Sequence, residues 1–538
     1  MGQQMCQQES VCCSAETCKV DIDKLADGAP MEGPADAECP QCPPSDASGS
    51  ASYLEEGAQL GGLFSVDAET VRFVSLASTL QSGGWMWRVR PEKMNHTELL
   101  SLWARSTQTD AFDVFVSHTW STPGHCKYLS LLLSSCWHYA LAAWLATAVP
   151  LLFLYWNRAL PLVAIYPTTF DSFELRVPYW PWIQPATFLA AAAALFLAPH
   201  CILHRFFTTR CFYDVVCVNQ ADPWEQRQGI NSIAGLLAAS KQLRILWSPS
   251  YLSRLWCVFE IAAYRKANPH GELRFQPLFV ERDILVLWTC GFLAAVLFSA
   301  MLSSFTYSSV LLGAILCLVF LPGAHFVRRG YREQDLLLRN LAEFDLSAVS
   351  CACDFDRQFI LSAVRSWYGS TDAFVEYVRG PIREELVETM QQSRVPFQYC
   401  ILALSPIFGF QLDVFGALIN ARAPQNIAIK FLGQSITILA VAVWGVRLFF
   451  WLSQKMAQPI FKLDFLQTAL VVLIWAVMQV IPFWSVLRAF QTDEGGVAAA
   501  AVVFTLLAAS RLPACKTMLS KVIRISGAQG KMRTSSSG

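Results

Sequence analysis

Two segments of this chain have the pattern of halves of one soluble α/β domain, and a hydrophobic hairpin separates them. The first half, residues 111–118, is an apolar strand that ends in two polar side chains, and the second half covers residues 213–264. Between them lie two apolar spans, at 132–156 and 181–203, each as long as the ~17–25 residues needed to cross hydrocarbon as a helix. If the halves pair, both lie on one side of the membrane, and the hairpin must cross it twice.

The composition is that of a membrane protein with soluble parts. Among the 538 residues, 54% are hydrophobic and only 15% are charged, whereas about 25% are charged in a typical soluble domain. Further apolar runs bring the number of predicted transmembrane helices to eight, with the later six at 284–304, 307–327, 397–419, 431–452, 464–487 and 496–512.

Positively charged residues indicate how these spans are oriented. Arginine and lysine are concentrated after the fourth span, between the sixth and seventh spans, and in the C-terminal tail. Because an even number of spans separates each of these segments from the α/β domain, the positive-inside rule places them with it in the cytosol. We therefore predict a multi-pass integral membrane protein whose N-terminus, α/β domain and C-terminal tail are cytosolic; the sequence does not identify the membrane.

The segments between the spans differ in composition. Residues 1–60 are polar, cysteine-rich and poor in core-forming side chains, so we expect a disordered tail. The basic C-terminal tail is suited to contact anionic lipid. The predicted order of the folded and tail segments is a lead-in with the first part of the α/β domain (61–131), a transmembrane hairpin (132–203), the second part of the domain (204–282), a second transmembrane hairpin (283–327), a cytosolic helical segment (328–395), the last four spans (396–512) and the basic tail (513–538).

Polar side chains lie where the predicted strands of the α/β domain end. Ser117, His118, Asn219 and Ser248 occupy these positions, and ligands of open parallel sheets bind at the carboxyl ends of the strands. Trp256 and Glu260 are four residues apart on a predicted helix, so they share a face. The apolar runs that predict buried parallel strands are 112–116, 215–218, 243–247 and 273–279, and the helical patterns between them are 229–239 and 253–266.

The motifs of this domain resemble those of the TIR (Toll/interleukin-1 receptor) family. The run Phe112-Asp-Val-Phe-Val-Ser-His118 is similar to the first TIR box, and Ser248-Pro-Ser-Tyr251 is similar to a later segment. Leu255-Trp-Cys-Val-Phe-Glu260 resembles the plant-type pattern, in which a glutamate follows Trp-Cys after two residues. The resemblance implies a flavodoxin-like fold, with helices on both faces of a parallel sheet, and homotypic association with other TIR-like domains.

The resemblance also implies NAD+ as a substrate rather than a bound cofactor. In many TIR domains the glutamate that matches Glu260 catalyses cleavage of the nicotinamide bond, because a nearby carboxylate can stabilise the oxocarbenium-like ribose. Other TIR domains are interaction scaffolds, so catalysis as an NAD+ nucleosidase and a purely scaffolding role both stay open. The side chains that the resemblance places around NAD+ are Ser117, His118, Trp120, Asn219, Ser248 and Trp256.

Two features depart from the family pattern. The membrane hairpin occupies the region of the family's first helix and the following loop, which normally helps to shape the nucleotide pocket. Residues 215–220, Val-Val-Cys-Val-Asn-Gln, also replace the acidic strand end that is expected in plant-type members. Both departures concern the pocket around Glu260.

Two ionisable residues fall within predicted spans, where charged groups are rare and usually face protein or water. Asp413 lies in the fifth span and Arg447 in the sixth. They predict either a mutual structural salt bridge or a polar translocation path, although Arg447 is also close enough to its span's end to snorkel. The alternative function is therefore an ion channel or transporter with a non-catalytic regulatory domain.

Metal and nucleic-acid binding are not predicted. His118, His125 and His138, with Cys126, do not form a consistent tetrahedral zinc frame, and local packing accounts for them better. The sequence also contains no basic-aromatic stripe suited to nucleic acid. The predicted partners are therefore the lipid bilayer and other TIR-like domains.

Overall fold

The computed structural model describes residues 64–170, 173–201, 209–302, 309–351, 354–392 and 396–489. Three predicted segments lie outside the described residues, namely the N-terminal tail (1–60), the eighth span (496–512) and the basic C-terminal tail (513–538). The described chain combines a six-stranded mixed sheet, a separate two-stranded hairpin and a set of long apolar helices.

Eight strands form the two sheets. They are β1 (Arg72–Ser75), β2 (Thr107–Gln108), β3 (Phe112–His118), β4 (Ala164–Phe170), β5 (Phe173–Tyr179), β6 (Arg210–Phe212), β7 (Ser240–Trp247) and β8 (Glu272–Pro277). The large sheet has the order β2-β1-β6-β3-β7-β8, and β4 pairs only with β5. Within the large sheet, β6, β3, β7 and β8 are parallel, whereas β1 is antiparallel to both β6 and β2.

The two predicted halves of the α/β domain do pair. In the parallel register of β3 with β7, Phe112 lies opposite Ser240 and His118 lies opposite Leu246. Leu243 is fully buried on β7, as the near-continuous apolar runs of the two strands predict. The prediction that residues 111–118 and 213–264 build one sheet is therefore confirmed.

Short helices surround this sheet. Asn95 caps the second of them with a capping box. The Asn95 side chain accepts a hydrogen bond from the backbone N–H of Glu98, and the Glu98 carboxylate accepts one from the backbone N–H of Asn95. These helices are α1 (Leu76–Gly84), α2 (His96–Trp103), α5 (Asp214–Cys217), α6 (Pro223–Asn231), α7 (Ile233–Ala238) and α8 (Leu255–Ala267), with 3-10 turns at Trp85–Trp87, Pro91–Lys93 and Ala198–His200.

The predicted strand at 215–218 is wrong. These residues form most of α5, and the strand that joins β3 is β6, a few residues earlier. A short apolar run is compatible with either a buried strand or a buried helical turn, so periodicity could not separate the two. The predicted helix at 229–239 is likewise divided between α6 and α7, and the predicted strand at 273–279 ends at Pro277.

The helix that follows β3 belongs to both the soluble and the apolar parts of the chain. This helix, α3 (Gly124–Trp156), buries Leu131 and Cys136 completely in the core of the α/β domain. Further along, Leu145, Val149 and Phe153 are 57%, 64% and 67% exposed, as expected for side chains that face lipid. One continuous helix thus packs on the sheet directly after β3 and then forms the apolar span.

Six described helices are long and apolar enough to cross a membrane, as an integral membrane protein requires. They match the first, second, third, fifth, sixth and seventh predicted spans. The fourth (307–327) begins outside the described residues and continues into α10 (Ser309–Ala342), so it stays a prediction, as does the eighth. The six are α3, α4 (Ile183–Leu197), α9 (Leu278–Leu302), α14 (Phe397–Asn420), α15 (Gln425–Lys455) and α16 (Asp464–Ala489).

Residues 346–351 and 354–392 pack against α8 and so extend the α/β domain. Lys266 donates to the Trp367 carbonyl at 2.9 Å, and the Tyr368 hydroxyl donates to the Ala262 carbonyl at 3.0 Å. The elements of this segment are a 3-10 turn (Leu346–Ala348), α11 (Asp354–Tyr368), α12 (Thr371–Tyr377), a π-helical turn (Val378–Ile382) and α13 (Arg383–Gln392).

Candidate functional site

Glu260 lies on α8, which presents its apolar residues to the core of the α/β domain. Cys257, Val258 and Ile261 are buried there, whereas Glu260 keeps partial exposure. Its carboxyl group meets the end of β3, where the Ser117 hydroxyl donates a hydrogen bond to Glu260 Oε2. The two halves of the domain therefore meet at this carboxyl group.

A second hydroxyl extends this contact into the core. The hydroxyl of Tyr251, which is fully buried, is hydrogen-bonded to Ser117 Oγ. When Tyr251 donates to Ser117 and Ser117 donates to Glu260, the three side chains form a relay that ends on the carboxyl oxygen. Such donors favour the ionised form of the acid.

Burial nevertheless outweighs these hydrogen bonds. The pKa of Glu260 is raised from 4.5 to about 8. Loss of water around the carboxyl group is the largest cause, the hydrogen bond from Ser117 opposes it, and the negative charge of Asp214 adds to it. At neutral pH the carboxyl group is therefore mainly protonated. Carboxyl groups with strongly raised pKa values are concentrated at functional sites, because ordinary surface acids lack both causes.

Asp214 forms the second acidic element of the site. Trp120, at the start of the loop after β3, donates its indole N–H to Asp214 Oδ2 at 2.8 Å. Burial raises the pKa of Asp214, and the nearby positive charge of Lys127 lowers it. Lys127 is almost fully buried in the first turn of α3, so the helix that continues as the first apolar span also supplies a cation to this cluster.

His118 lies beside Asp214 as a neutral ring. Its Nε2 atom is 4.0 Å from Asp214 Oδ1, but burial holds the pKa of the imidazole well below its usual range, so the contact is not an ion pair. The rings of Trp87 and Tyr213 pack against it at centroid distances of 5.7 and 5.5 Å. The ring of His118 thus borders the cluster and is held by contacts with two aromatic rings.

Ser248 joins the two loops at the carboxyl ends of β3 and β7. It accepts a hydrogen bond from the Thr122 hydroxyl at 2.7 Å, and a parallel contact of 2.9 Å links Ser121 and Ser250. These hydroxyl groups form a polar rim that holds the loops after the two central strands together.

Two predicted site residues have other partners. Asn219 donates to Glu225 Oε2 at 2.8 Å and accepts from the Ala221 backbone N–H at 3.0 Å, so it stabilises the turn before α6. The Trp256 indole donates to Asp356 Oδ2 at 3.1 Å and thereby joins α8 to α11. The structure thus brings Ser117, His118 and Trp120 to the Glu260–Asp214 cluster. Asn219 and Trp256 form their hydrogen bonds with residues outside this cluster.

Sequence reasoning missed three members of the cluster. Asp214 was hidden because residues 215–218 were predicted as the strand, whereas the acid actually follows β6 by two residues. Lys127 gave a signal, since it is the last basic residue before a long apolar run. Tyr251 lies within the Ser248–Tyr251 segment that resembles a TIR segment, but its contact with Ser117 could not be inferred from the sequence pattern.

Asp413 is fully buried in α14 and caps the N-terminus of another helix. Its oxygens accept from the backbone N–H groups of Trp182, Ile183 and Gln184 at 2.7–2.9 Å and from the Tyr155 hydroxyl at 3.0 Å. The partial positive charge at the start of α4 offsets the carboxylate. Arg447 is exposed on α15, and the predicted salt bridge between Asp413 and Arg447 is not formed among the described ion pairs.

The chain matches no known family model, no curated protein and no solved structure. Glu260 and Asp214 are two carboxyl groups in a partly buried cluster at the carboxyl edge of a parallel sheet, with hydroxyl, indole and ammonium donors around them. Such a cluster can stabilise a positive charge that develops on a bound molecule.

Among the described residues, no group of three or more His, Cys, Asp or Glu side chains is arranged to hold a metal ion.

Proposed function

We propose that this protein is a multi-pass membrane protein whose cytosolic TIR-like domain signals by self-association. The same domain cleaves NAD+ at the nicotinamide bond, with Glu260 as the catalytic residue. The observation that carries the proposal is the contact between Ser117 and Glu260 at the carboxyl edge of the sheet. The two motifs that resemble TIR segments are far apart in the chain, and a hairpin with two apolar helices separates them. Their side chains nevertheless converge on one carboxyl group.

The strand order supports a flavodoxin-like fold for this domain. Numbered along the chain, the four parallel strands β3, β6, β7 and β8 have the spatial order 2-1-3-4. The flavodoxin-like order is 2-1-3-4-5, and its ligands bind outside the carboxyl ends of the strands near the first strand. Ser117 is the second-last residue of that first strand, and its contact with Glu260 supports a ligand site at this edge of the sheet.

The proposed reaction is hydrolysis of NAD+ to ADP-ribose and nicotinamide. The bond between the ribose C1′ atom and the nicotinamide nitrogen breaks, and its electron pair leaves with nicotinamide. Water then adds to C1′ and releases a proton. The ionised Glu260 would stabilise the positive charge on the ribose, with an Oε2 atom held by Ser117.

The raised pKa of Glu260 is compatible with this role. In the free protein the carboxyl group is mainly protonated at neutral pH, because its pKa is about 8. NAD+ carries a positive charge on the nicotinamide ring, and a positive charge nearby favours the ionised carboxylate. Substrate binding would therefore generate the catalytic form of the acid.

Contacts of α1 with the end of α4 support the proposed topology. Gln81 Nε2 donates to the Pro199 carbonyl at 3.0 Å, so the chain is back at the α/β domain after the second apolar helix. The hairpin of β4 and β5 would lie on the opposite side of the membrane. With the fourth and eighth spans included, eight helices would return the C-terminal tail to the cytosol.

Nicotinamide release tests the enzymatic half of the proposal. The full chain, purified in detergent and clustered by reconstitution at high density, is incubated with NAD+ beside the variants Glu260→Gln and Glu384→Gln. Glu384 is an exposed acid on α13 and serves as the matched control. We expect release by the wild type and by Glu384→Gln, and a loss of about 10²–10³-fold in Glu260→Gln, as for other groups that stabilise transition-state charge.

Two results would reject parts of the proposal separately. Equal release by Glu260→Gln and wild type, or none from the clustered wild type, would exclude catalysis by Glu260. Chemical crosslinking of the same samples measures self-association, which should be unchanged in Glu260→Gln. A chain that stays monomeric under these conditions would exclude signalling by self-association.

A further inference from the structure

A second polar site lies in a cavity on the face of the sheet that α3 covers. The cavity has a volume of about 290 Å³ and shares no lining residue with the Glu260 cluster. Arg244 of β7 and Arg274 of β8 line it together with the hydroxyl groups of Ser134, Ser135 and Thr209. The described part of the chain thus contains a cavity rich in hydrogen-bond donors, with two cations among them.

The two arginines are direct neighbours across parallel strands. Arg244 is the register partner of Arg274, so their side chains leave the sheet on the same face. Like charges in this arrangement destabilise a sheet. Burial and the charge of Arg274 together lower the pKa of Arg244 to about 10. The sheet therefore carries a repulsion that a bound anion would relieve.

Among the described residues, neither arginine forms an ion pair with a neighbouring acid. The Arg244 guanidinium donates only to the neutral Gln242 Oε1, at 3.1 and 3.3 Å, and no described ion pair includes Arg244 or Arg274. Glu281 acts electrostatically on both Arg244 and Arg274, but its carboxyl group accepts hydrogen bonds from Ser130 and Tyr399 and not from an arginine. The exposed Glu272 is the other acid that acts on Arg244.

The cavity lies close to the beginning of the apolar surface. His138 and Tyr139 of α3 also line it, and Leu145, which is 57% exposed as in a lipid-facing side chain, follows within two turns. Arg274 and His138 are exposed, so the cavity reaches the protein surface on this side. A molecule held there would lie near the boundary between the α/β domain and the membrane.

We propose that this cavity binds a phosphate group, with the headgroup of an anionic membrane lipid as its favoured source. The planar guanidinium group matches phosphate oxygens in pairs, and the serine and threonine hydroxyls would supply further donors. The volume is just below the about 300–1,000 Å³ typical of small-molecule pockets, which suits a headgroup better than a dinucleotide. The site is separate from NAD+ cleavage and would couple the α/β domain to the composition of the membrane.

Thermal unfolding of the full chain in a neutral detergent tests this inference. The probes are short-chain phosphatidic acid, short-chain phosphatidylcholine (whose headgroup has no net charge) and inorganic phosphate. A molecule that binds only the folded state raises the unfolding temperature in proportion to the logarithm of its concentration. We expect phosphatidic acid to raise it and phosphatidylcholine to leave it unchanged; a response to inorganic phosphate as well would assign the site to free phosphate compounds.

Two substitutions keep the test independent of folding defects. Arg274→Gln should leave the unfolding temperature without probe equal or higher, because it relieves the repulsion with Arg244, and should weaken phosphatidic acid binding at least about tenfold. Arg274→Lys keeps the charge but loses the paired geometry, so an intermediate loss is expected. Arg227→Gln, an exposed position on α6, is the control and should respond like the wild type. The proposal is rejected if no phosphate probe shifts the wild type, or if Arg274→Gln responds as strongly as Arg227→Gln.

Discussion

Ser117 and Glu260 are 143 positions apart in the chain and are joined by a hydrogen bond from the serine hydroxyl to the carboxyl group. The first and second apolar helices lie between them, so this contact forms only after the hairpin has brought the chain back to β3. The environment of the acid thus depends on the path by which the hairpin returns the chain to the sheet. A chain with a displaced hairpin would lose the sheet and the site together.

Ser117 lowers the pKa of Glu260 against the larger effect of burial, and Ser117→Ala should therefore change the pH dependence of the site. The hydroxyl favours the ionised carboxylate, so its removal should raise the pKa of Glu260 above about 8. If ionised Glu260 is the catalytic form, kcat/KM for nicotinamide release rises with pH through this pKa, and the midpoint moves to higher pH in Ser117→Ala. An unchanged midpoint with a lower plateau would contradict the electrostatic role of Ser117.

The stability of the folded protein should fall as the pH rises. The pKa of Glu260 is raised from 4.5 to about 8 in the folded state, so the folded state binds this proton more tightly than the unfolded chain does. Its contribution to stability is complete below pH 4.5 and is lost as the pH approaches 8. Between pH 4.5 and about 8, we expect the unfolding temperature of the wild type to fall relative to that of Glu260→Gln. A constant difference would mean that Glu260 is ionised throughout.

Asp413 should stabilise the apolar helices rather than conduct a substrate. Asp413→Ala leaves three backbone N–H groups at the start of α4 without their acceptor, at a cost of about 1–3 kcal/mol in the free energy of unfolding, whereas the Tyr155 hydroxyl keeps the Trp180 carbonyl as an acceptor. Asp413→Asn keeps one carbonyl acceptor and should cost less. Denaturation in detergent measures both, with Arg447→Gln as the control, because Arg447 is exposed on α15.

Flux measurements in proteoliposomes separate the structural role of Asp413 from a role in transport. An Asp413→Asn variant with the stability of the wild type but an altered ion or solute flux would support the channel or transporter alternative. Loss of stability without any flux in the wild type supports the structural role.

The sequence predicted the parts of the fold that depend on local pattern. The apolar runs around Val114 and Leu243 identified the central strands, and hydropathy identified six of the described long helices. Hydropathy did not show that α3 begins inside the soluble domain, because it records composition and not the neighbour against which a helix packs. The helix cap by Asp413 joins segments that no local pattern connects, and the role of Asp214 depended on which apolar run forms the strand.

The last prediction concerns the side of the membrane on which each part of the chain lies. Pro167→Asn creates an Asn-Thr-Thr glycosylation site in β4, on the loop that we propose to face away from the cytosol. The natural site Asn95-His-Thr97 begins α2 in the α/β domain, which we propose to be cytosolic. In eukaryotic cells we expect an N-linked glycan on the Pro167→Asn variant only, detected as a mobility shift that peptide N-glycosidase removes. Adding Thr169→Ala destroys the new site and should abolish the shift. A glycan on Asn95 in the unmodified chain would place the α/β domain, and with it Glu260, on the side where cytosolic NAD+ cannot reach it.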